Sequence, residues 1–277
     1  MRRRTPITTA LAVIALLASS CADDAQPAAA PPVTSAAAIE ADDGAMAVSF
    51  EEATTPEAQQ GRALMEKTQV LEGLADEVTG IFKLPYDIPL VGSQCGEAND
   101  FWSPDDQQMV LCYEDIAESL SLFADDPDPE ATARRVAVAS FYHELGHMAI
   151  DLYQLPATGR EEDVADQLSA YLLLAADADG SVDPDQVQAA KDQAREYRLY
   201  AQDDGPQPDE ALMADVHTLN EARMYNFECW IYGSDPEANA DVITDGLLPQ
   251  DRADGCQDEF AKLTNAWSEL LKPHLKQ

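Results

Sequence analysis

The chain has 277 residues, 45% of them hydrophobic, with 17 Lys+Arg against 52 Asp+Glu and a formal net charge of −35. That length and apolar content support one sizeable hydrophobic core. The acidic excess excludes nucleic acid as a partner, because phosphates would be repelled, and excludes docking on anionic lipid except through a covalent anchor; a solvated acidic shell is its plain reading.

The first residues read as an export signal. Arg2, Arg3 and Arg4 precede an apolar run from Ile7 to Leu17, and the small residues Ala18, Ser19 and Ser20 precede Cys21, which marks residues 1–20 as a signal peptide too short to span a membrane. Leu17 to Cys21 resembles a bacterial lipobox, which implies lipidation of Cys21 and a place in the cell envelope; ordinary secretion is the alternative. Residues 21–55, rich in Ala, Pro and Asp, read as a disordered tether in which Met46–Phe50 has the pattern of a short strand. The folded domain is expected over 56–277.

Pro56 to Phe82 repeats apolar residues at helical spacing. Ile88–Val91 and Gln108–Tyr113 read as strands, the second paired with Asn99–Trp102 as a hairpin across the Ser103-Pro104-Asp105-Asp106 turn. The remainder reads as helices: Glu114–Phe123, Pro129–Tyr153, Arg160–Ala176, Asp185–Tyr200, Glu210–Asp215, Asn220–Tyr232, Pro236–Leu248 and Cys256–Leu271. The expected fold is therefore α+β, predominantly helical, with a small antiparallel sheet packed by the Pro129–Tyr153 helix. Four cysteines follow Cys21, and in an oxidising compartment they read as two disulfides. Of the three connectivities, Cys95–Cys112 and Cys229–Cys256 close the more local loops.

Within Pro129–Tyr153 lies His143-Glu144-Leu145-Gly146-His147. Histidines at i and i+4 share one helix face, so both imidazoles can meet one metal ion, and Glu144 lies beside them as a base for a metal-activated water. Phe141, Leu145, Met148 and Leu152 supply an apolar face on the other side, and Gly146 between the histidines points to a close neighbour. A helix that merely happens to carry two histidines is the competing reading. A catalytic zinc site takes three protein ligands. The metzincin pattern needs glycine at 150 and histidine at 153, where this chain has Ile150 and Tyr153. Glu162 and Asp166, one turn apart on the next helix, resemble the ExxxD arrangement of the thermolysin-like gluzincins. That resemblance makes Glu162 the third ligand and Asp166 the carboxylate that supports a histidine, with Glu161 and Asp163 as rivals for the ligand. An acidic first turn favoured by the helix dipole is the alternative reading. His217, with Asp215 to orient it, and Arg223 and Tyr225 on the following helix are candidate donors to a developing oxyanion.

Taken together, Cys95-Gly96-Glu97-Ala98-Asn99, Cys112-Tyr113-Glu114, the His143–His147 motif, Gly159 to Asp163 with Asp166-Gln167, Arg223-x-Tyr225-Asn226 and Tyr232 to Pro236 resemble the DUF4344 metallopeptidase family from about residue 60 onward. The chain departs from that pattern at Asn99-Asp100-Phe101-Trp102, where Asn-Ala-Phe-Tyr is the expected run, and at Ala222, where glutamine is more usual. The resemblance implies zinc (Zn2+) peptidase chemistry. The expected activity is hydrolysis of a peptide or protein substrate, with an extended chain pairing along the Gln108–Tyr113 strand. A non-catalytic zinc-binding lipoprotein and a metal-free helical interaction module are the other function classes.

Overall fold

A computed structural model describes residues 41–176, 180–205 and 210–276. The expected signal segment, Cys21 and the tether up to residue 40 lie outside the described residues. In chain order the elements are β1 (Met46–Phe50), α1 (Pro56–Thr68), α2 (Val70–Ile81), β2 (Ile88–Ser93), β3 (Phe101–Ser103), β4 (Gln108–Cys112), α3 (Tyr113–Leu122), α4 (Pro129–Tyr153), α5 (Glu161–Leu174), α6 (Pro184–Asp204), α7 (Glu210–Ala214), α8 (Asn220–Ser234), α9 (Asp241–Thr244), α10 (Gln250–Ala253) and α11 (Cys256–Leu271), with a 3-10 turn at Lys272–His274. The fold is α+β and mostly helical, as the sequence leads one to expect.

The sheet differs from expectation in two ways. Its order is β1-β2-β4-β3, with β1–β2 and β2–β4 parallel and only β3–β4 antiparallel, so it is mixed rather than antiparallel. The physical reason is connection length: α1 and α2 lie between β1 and β2 and allow a parallel crossover, whereas β3 and β4 are joined by a tight turn. β4 is consequently an inner strand paired on both sides, with β1 and β3 at the two edges. The strand expected to receive substrate has no free backbone edge, which corrects that expectation. Met46–Phe50 is a strand as read, and by pairing with β2 it brings the folded part of the chain forward of residue 56 into the range assigned to the tether.

Two helical stretches also break. Pro56–Phe82 is two helices, because Gln69 adopts a left-handed conformation with φ 52°, next to Thr68, whose hydroxyl donates to the Leu64 carbonyl at 2.8 Å. Of Pro236–Leu248 only Asp241–Thr244 is helical. Asp235 accepts from the backbone N–H groups of Glu237 and Ala238 at 3.0 and 3.0 Å, which favours a turn. The disulfides are Cys95–Cys112 and Cys229–Cys256, the local pairing. Two disulfides, with no described helix long and apolar enough to cross a membrane, fit an exported protein.

The central element is α4. Asp128 caps it by accepting from the Ala131 N–H at 3.1 Å, and Pro129 occupies its first turn, where no backbone N–H is needed. It ends at Gln154, left-handed with φ 51°. Its apolar residues are buried on nearly every side: Phe141, Leu145 and Met148 are fully buried among the other helices, while Trp102 and Met109 of the sheet belong to the same core. Gly146 is where α5 comes closest. A Cβ at this position would stand 2.7 Å from the Ala165 Cα and 3.0 Å from its Cβ, so only glycine allows this approach. Gly146→Ala should therefore lower the thermal midpoint, because overpacking costs about 1–3 kcal/mol and outweighs the roughly 1 kcal/mol of helix propensity that alanine adds. Thermal unfolding with and without added zinc checks this. A variant as stable as wild type, with unchanged metal affinity, would show that the two helices need not touch.

Candidate metal centre

The close α4–α5 contact brings three atoms together. The Nε2 atoms of His143 and His147 are 3.3 Å apart, and the Glu162 Oε2 lies 3.1 Å from the first and 3.2 Å from the second. Each Nδ1 is occupied from behind: His143 Nδ1 meets Asp166 Oδ1 at 2.8 Å, and His147 Nδ1 meets Glu161 Oε1 at 2.9 Å. A neutral imidazole that gives its Nδ1–H to a carboxylate has a bare lone pair on Nε2. Two such lone pairs and a carboxylate oxygen then face one another, an arrangement that needs positive charge between them, either protons on the histidines or a metal ion. Metal–ligand distances of about 2.0–2.1 Å in a tetrahedron put ligand atoms roughly 3.3–3.4 Å apart, close to the three separations here. The residues therefore fit a metal ion.

The surrounding groups hold this triangle in place. Asp166 also accepts a forked pair from Arg223, Nε to Oδ2 at 2.8 Å and Nη2 to Oδ1 at 2.7 Å, and a third bond from the Tyr197 hydroxyl at 3.3 Å. Burial opposes its charge, but the Arg223 guanidinium and the His143 contact hold the carboxyl well below the usual range. Burial likewise opposes charging His143, yet hydrogen bonds to Asp166 and Glu162 raise its pKa to about 9. Glu144 stands on the other side of His143. Its Oε2 accepts the outward N–H of Trp102 on β3 at 2.9 Å, and its Oε1 is 3.9 Å from His143 Nε2. One carboxylate oxygen is thus anchored and the other faces the triangle. Burial raises its pKa, with the two histidines acting against that rise.

His217 lies in the segment between α7 and α8, about half exposed, with Nε2 3.2 Å from Glu162 Oε2 and Nδ1 2.9 Å from Asp215 Oδ1. The start of α5 is tied to the same segment, since Arg160 Nη1 donates to the carbonyls of Asp215 at 3.4 Å and His217 at 3.2 Å. His217 can also serve as a ligand atom with His143 and Glu162, all three within 4.8 Å of one another. A groove of about 620 Å³ passes the centre, lined by Phe101, Trp102, Pro104 and Ile150 together with Glu162 and His217.

Two expected donors are elsewhere. The Arg223 guanidinium is committed to Asp166 and lies 4.2 Å from the Tyr197 ring centroid, so it acts behind His143 rather than on a carbonyl. Tyr225 is two residues further along α8, about 200° round the helix, and lines a different cavity with Arg198 and Gln202. Asp163, on the same turn as Glu162, makes no contact with either histidine. The anchoring of Glu144 by a strand N–H, and the place of Glu161 behind His147, leave no mark in the sequence; both depend on how β3 and α5 approach α4.

A mostly helical α+β chain in which HExxH and a glutamate of the next helix surround one point defines a candidate metalloprotein of the HExxH class. Residues 50–271 match the family DUF4344, described as "Putative metallopeptidase", and the chain belongs to that family. No curated protein and no solved structure matches it.

Glu162→Ala should abolish tight zinc binding. Glu161→Ala and Asp166→Asn should retain it with losses of about 10–100-fold, as read by competition with a chromogenic chelator. Equal losses in all three would reassign the third ligand. Because His143 holds its proton up to about 9, metal uptake at neutral pH should release protons and affinity should rise from pH 6 to 9. Calorimetry in buffers of different ionisation enthalpy measures that release.

Proposed function

We propose that the protein is a zinc-dependent metallopeptidase, exported and anchored by lipid at Cys21, that hydrolyses peptide bonds. The observation that carries this reading is the set of three lone-pair atoms 3.1–3.3 Å apart with a carboxylate oxygen of Glu144 turned toward them. Zinc would be held by His143, His147 and Glu162. When bound, it supplies a Lewis acid for the carbonyl oxygen and lowers the pKa of a water molecule to about 7.

The chain's own residues do the rest. Glu144 Oε1 takes the proton of the attacking water while Oε2 stays held by Trp102, and the raised pKa suits it to pass that proton on to the leaving nitrogen. His217 is raised by its hydrogen bond to Glu162, against burial, and further by Asp215; with the Glu162 oxygen taken up by the metal, its Nε2–H would turn from Glu162 to the carbonyl oxygen as negative charge builds there. Asp166, backed by Arg223, keeps His143 in the tautomer a ligand needs. An extended substrate would lie beside β3 and donate to the outward Trp102 carbonyl, since the N–H of that residue is given to Glu144.

The test is turnover of a broad peptide library or casein by zinc-loaded protein. Glu144→Gln should keep its zinc and lose about 10²–10⁴-fold in kcat. His217→Ala should lower kcat by a smaller factor with zinc retained. If wild-type protein with stoichiometric zinc cleaves nothing across the library, the centre serves binding or structure instead of hydrolysis.

A further inference from the structure

Behind the centre lies a second cavity, of about 340 Å³, that shares Asn99, Asp100, Glu144 and His217 with the groove. The two cavities thus meet at the reactive atoms. The far wall of the second comes from α3 and α6 and carries Asp115, Glu118, Gln193, Glu196 and Tyr200. Its carboxylates lack a counter-charge: among the described residues no lysine or arginine pairs with Asp115, Glu118 or Glu196, and Arg223 at the rim is committed to Asp166. Glu118 accepts from the Tyr200 hydroxyl at 3.0 Å, Glu196 from Ser119 at 2.6 Å and from Gln193 Nε2 at 3.1 Å. The other end of that amide, Gln193 Oε1, is a buried acceptor with no donor, on a residue only 4% exposed. With Nε2 given to Glu196, that oxygen is the end left over. A buried acceptor without a donor is costly, and this one adds to the negative potential of the wall.

We propose that this cavity is a subsite for a basic side chain, lysine or arginine, of the residue next to the scissile bond; this rests on the peptidase reading. The cavity has room for an extended cation. A bare ion suits it less: among the described residues the side-chain atoms that converge tightly enough for an ion are those of His143 with Glu162 and His217 or with Glu144 and His147, none of them on the α3–α6 wall. Burial first, then neighbouring carboxylates, hold Asp115 at about 7 and Glu196 at about 8, the behaviour of acids waiting for positive charge. A guanidinium, with N–H donors spread across a plane, suits a wall that carries several carboxylates.

The experiment uses matched fluorogenic peptides, differing only by arginine or its neutral isostere citrulline beside the cleaved bond, with zinc-loaded mature protein. Arginine should be preferred by about tenfold or more in kcat/KM. Asp115→Asn/Glu118→Gln should bring that ratio toward one while turnover of the citrulline peptide stays within a few-fold. A ratio near one in wild type, or one unmoved in the double variant, overturns the proposal. A second arm measures binding of the same two peptides to Glu144→Gln protein by calorimetry, which separates the cavity from the chemistry. A preference for arginine that binds without any cleavage supports the cationic subsite and sinks the peptidase reading. Equal binding of both peptides, or displacement of the arginine peptide by calcium alone, sinks the subsite.

Discussion

One buried carboxylate holds the centre together. Asp166 on α5 reaches His143 on α4, Arg223 on α8 and the Tyr197 hydroxyl on α6, so four helices meet at a group that is only 3% exposed. Taking a carboxylate out of water costs several kcal/mol. A forked guanidinium and an imidazole N–H offset that cost only in good geometry, which makes the four helices adjust to one another rather than slide. The histidine's orientation, and with it the ligand triangle, is set by tertiary packing and not by α4 alone.

The same packing explains how so acidic a chain can hold a centre rich in positive groups. Arg223 is drawn inside by Asp166 and the face of Tyr197, and His217 is drawn over the groove by Glu162 and Asp215. Glu162 is held well below the usual carboxylate range: burial opposes this, and hydrogen bonds from three histidines prevail. A carboxylate kept ionised between imidazoles is a ready metal ligand, and an incoming divalent ion replaces the histidine protons that stabilise it. Proton and metal compete for one set of lone pairs.

Much of this was legible in the residues. The bounds of α4 follow from Asp128-Pro129 at one end and the loss of periodicity after Tyr153 at the other. The i, i+4 spacings of His143/His147 and Glu162/Asp166 fix which side chains share a face whatever the fold. Local cysteine pairing was readable for the same reason. Strand order was not, because nothing in Gln108–Cys112 says that a parallel neighbour will cover its other side. Arg223 and Tyr225 look equally suitable until a helix must turn one of them inward. The acidic cavity was hidden for a different reason: Asp115 and Glu118 on α3 and Glu196 on α6 look like solvated charges in a sequence with so many, and only the packing of α3 against α6 buries Glu196 and half-buries the other two.

The loop before β3 links these features. Cys95–Cys112 ties its start to the end of β4, and Glu114 accepts the backbone N–H groups of Cys95 and Gly96, both at 3.0 Å. Asp100 accepts from Cys112 N at 2.7 Å and from Ser140 on α4 at 2.8 Å. Asn99 and Asp100 form the wall common to both cavities, so that wall is pinned covalently at one end and to the HExxH helix at the other. Trp102, just beyond, anchors Glu144 through its own backbone. The element that divides the two cavities is therefore also the one that positions the base. A substrate chain threaded from the groove into the acidic cavity would have to cross this fixed ridge at Glu144. On the proposed reading, selection of the residue beyond the ridge and proton transfer at it would be coupled through the same few backbone atoms.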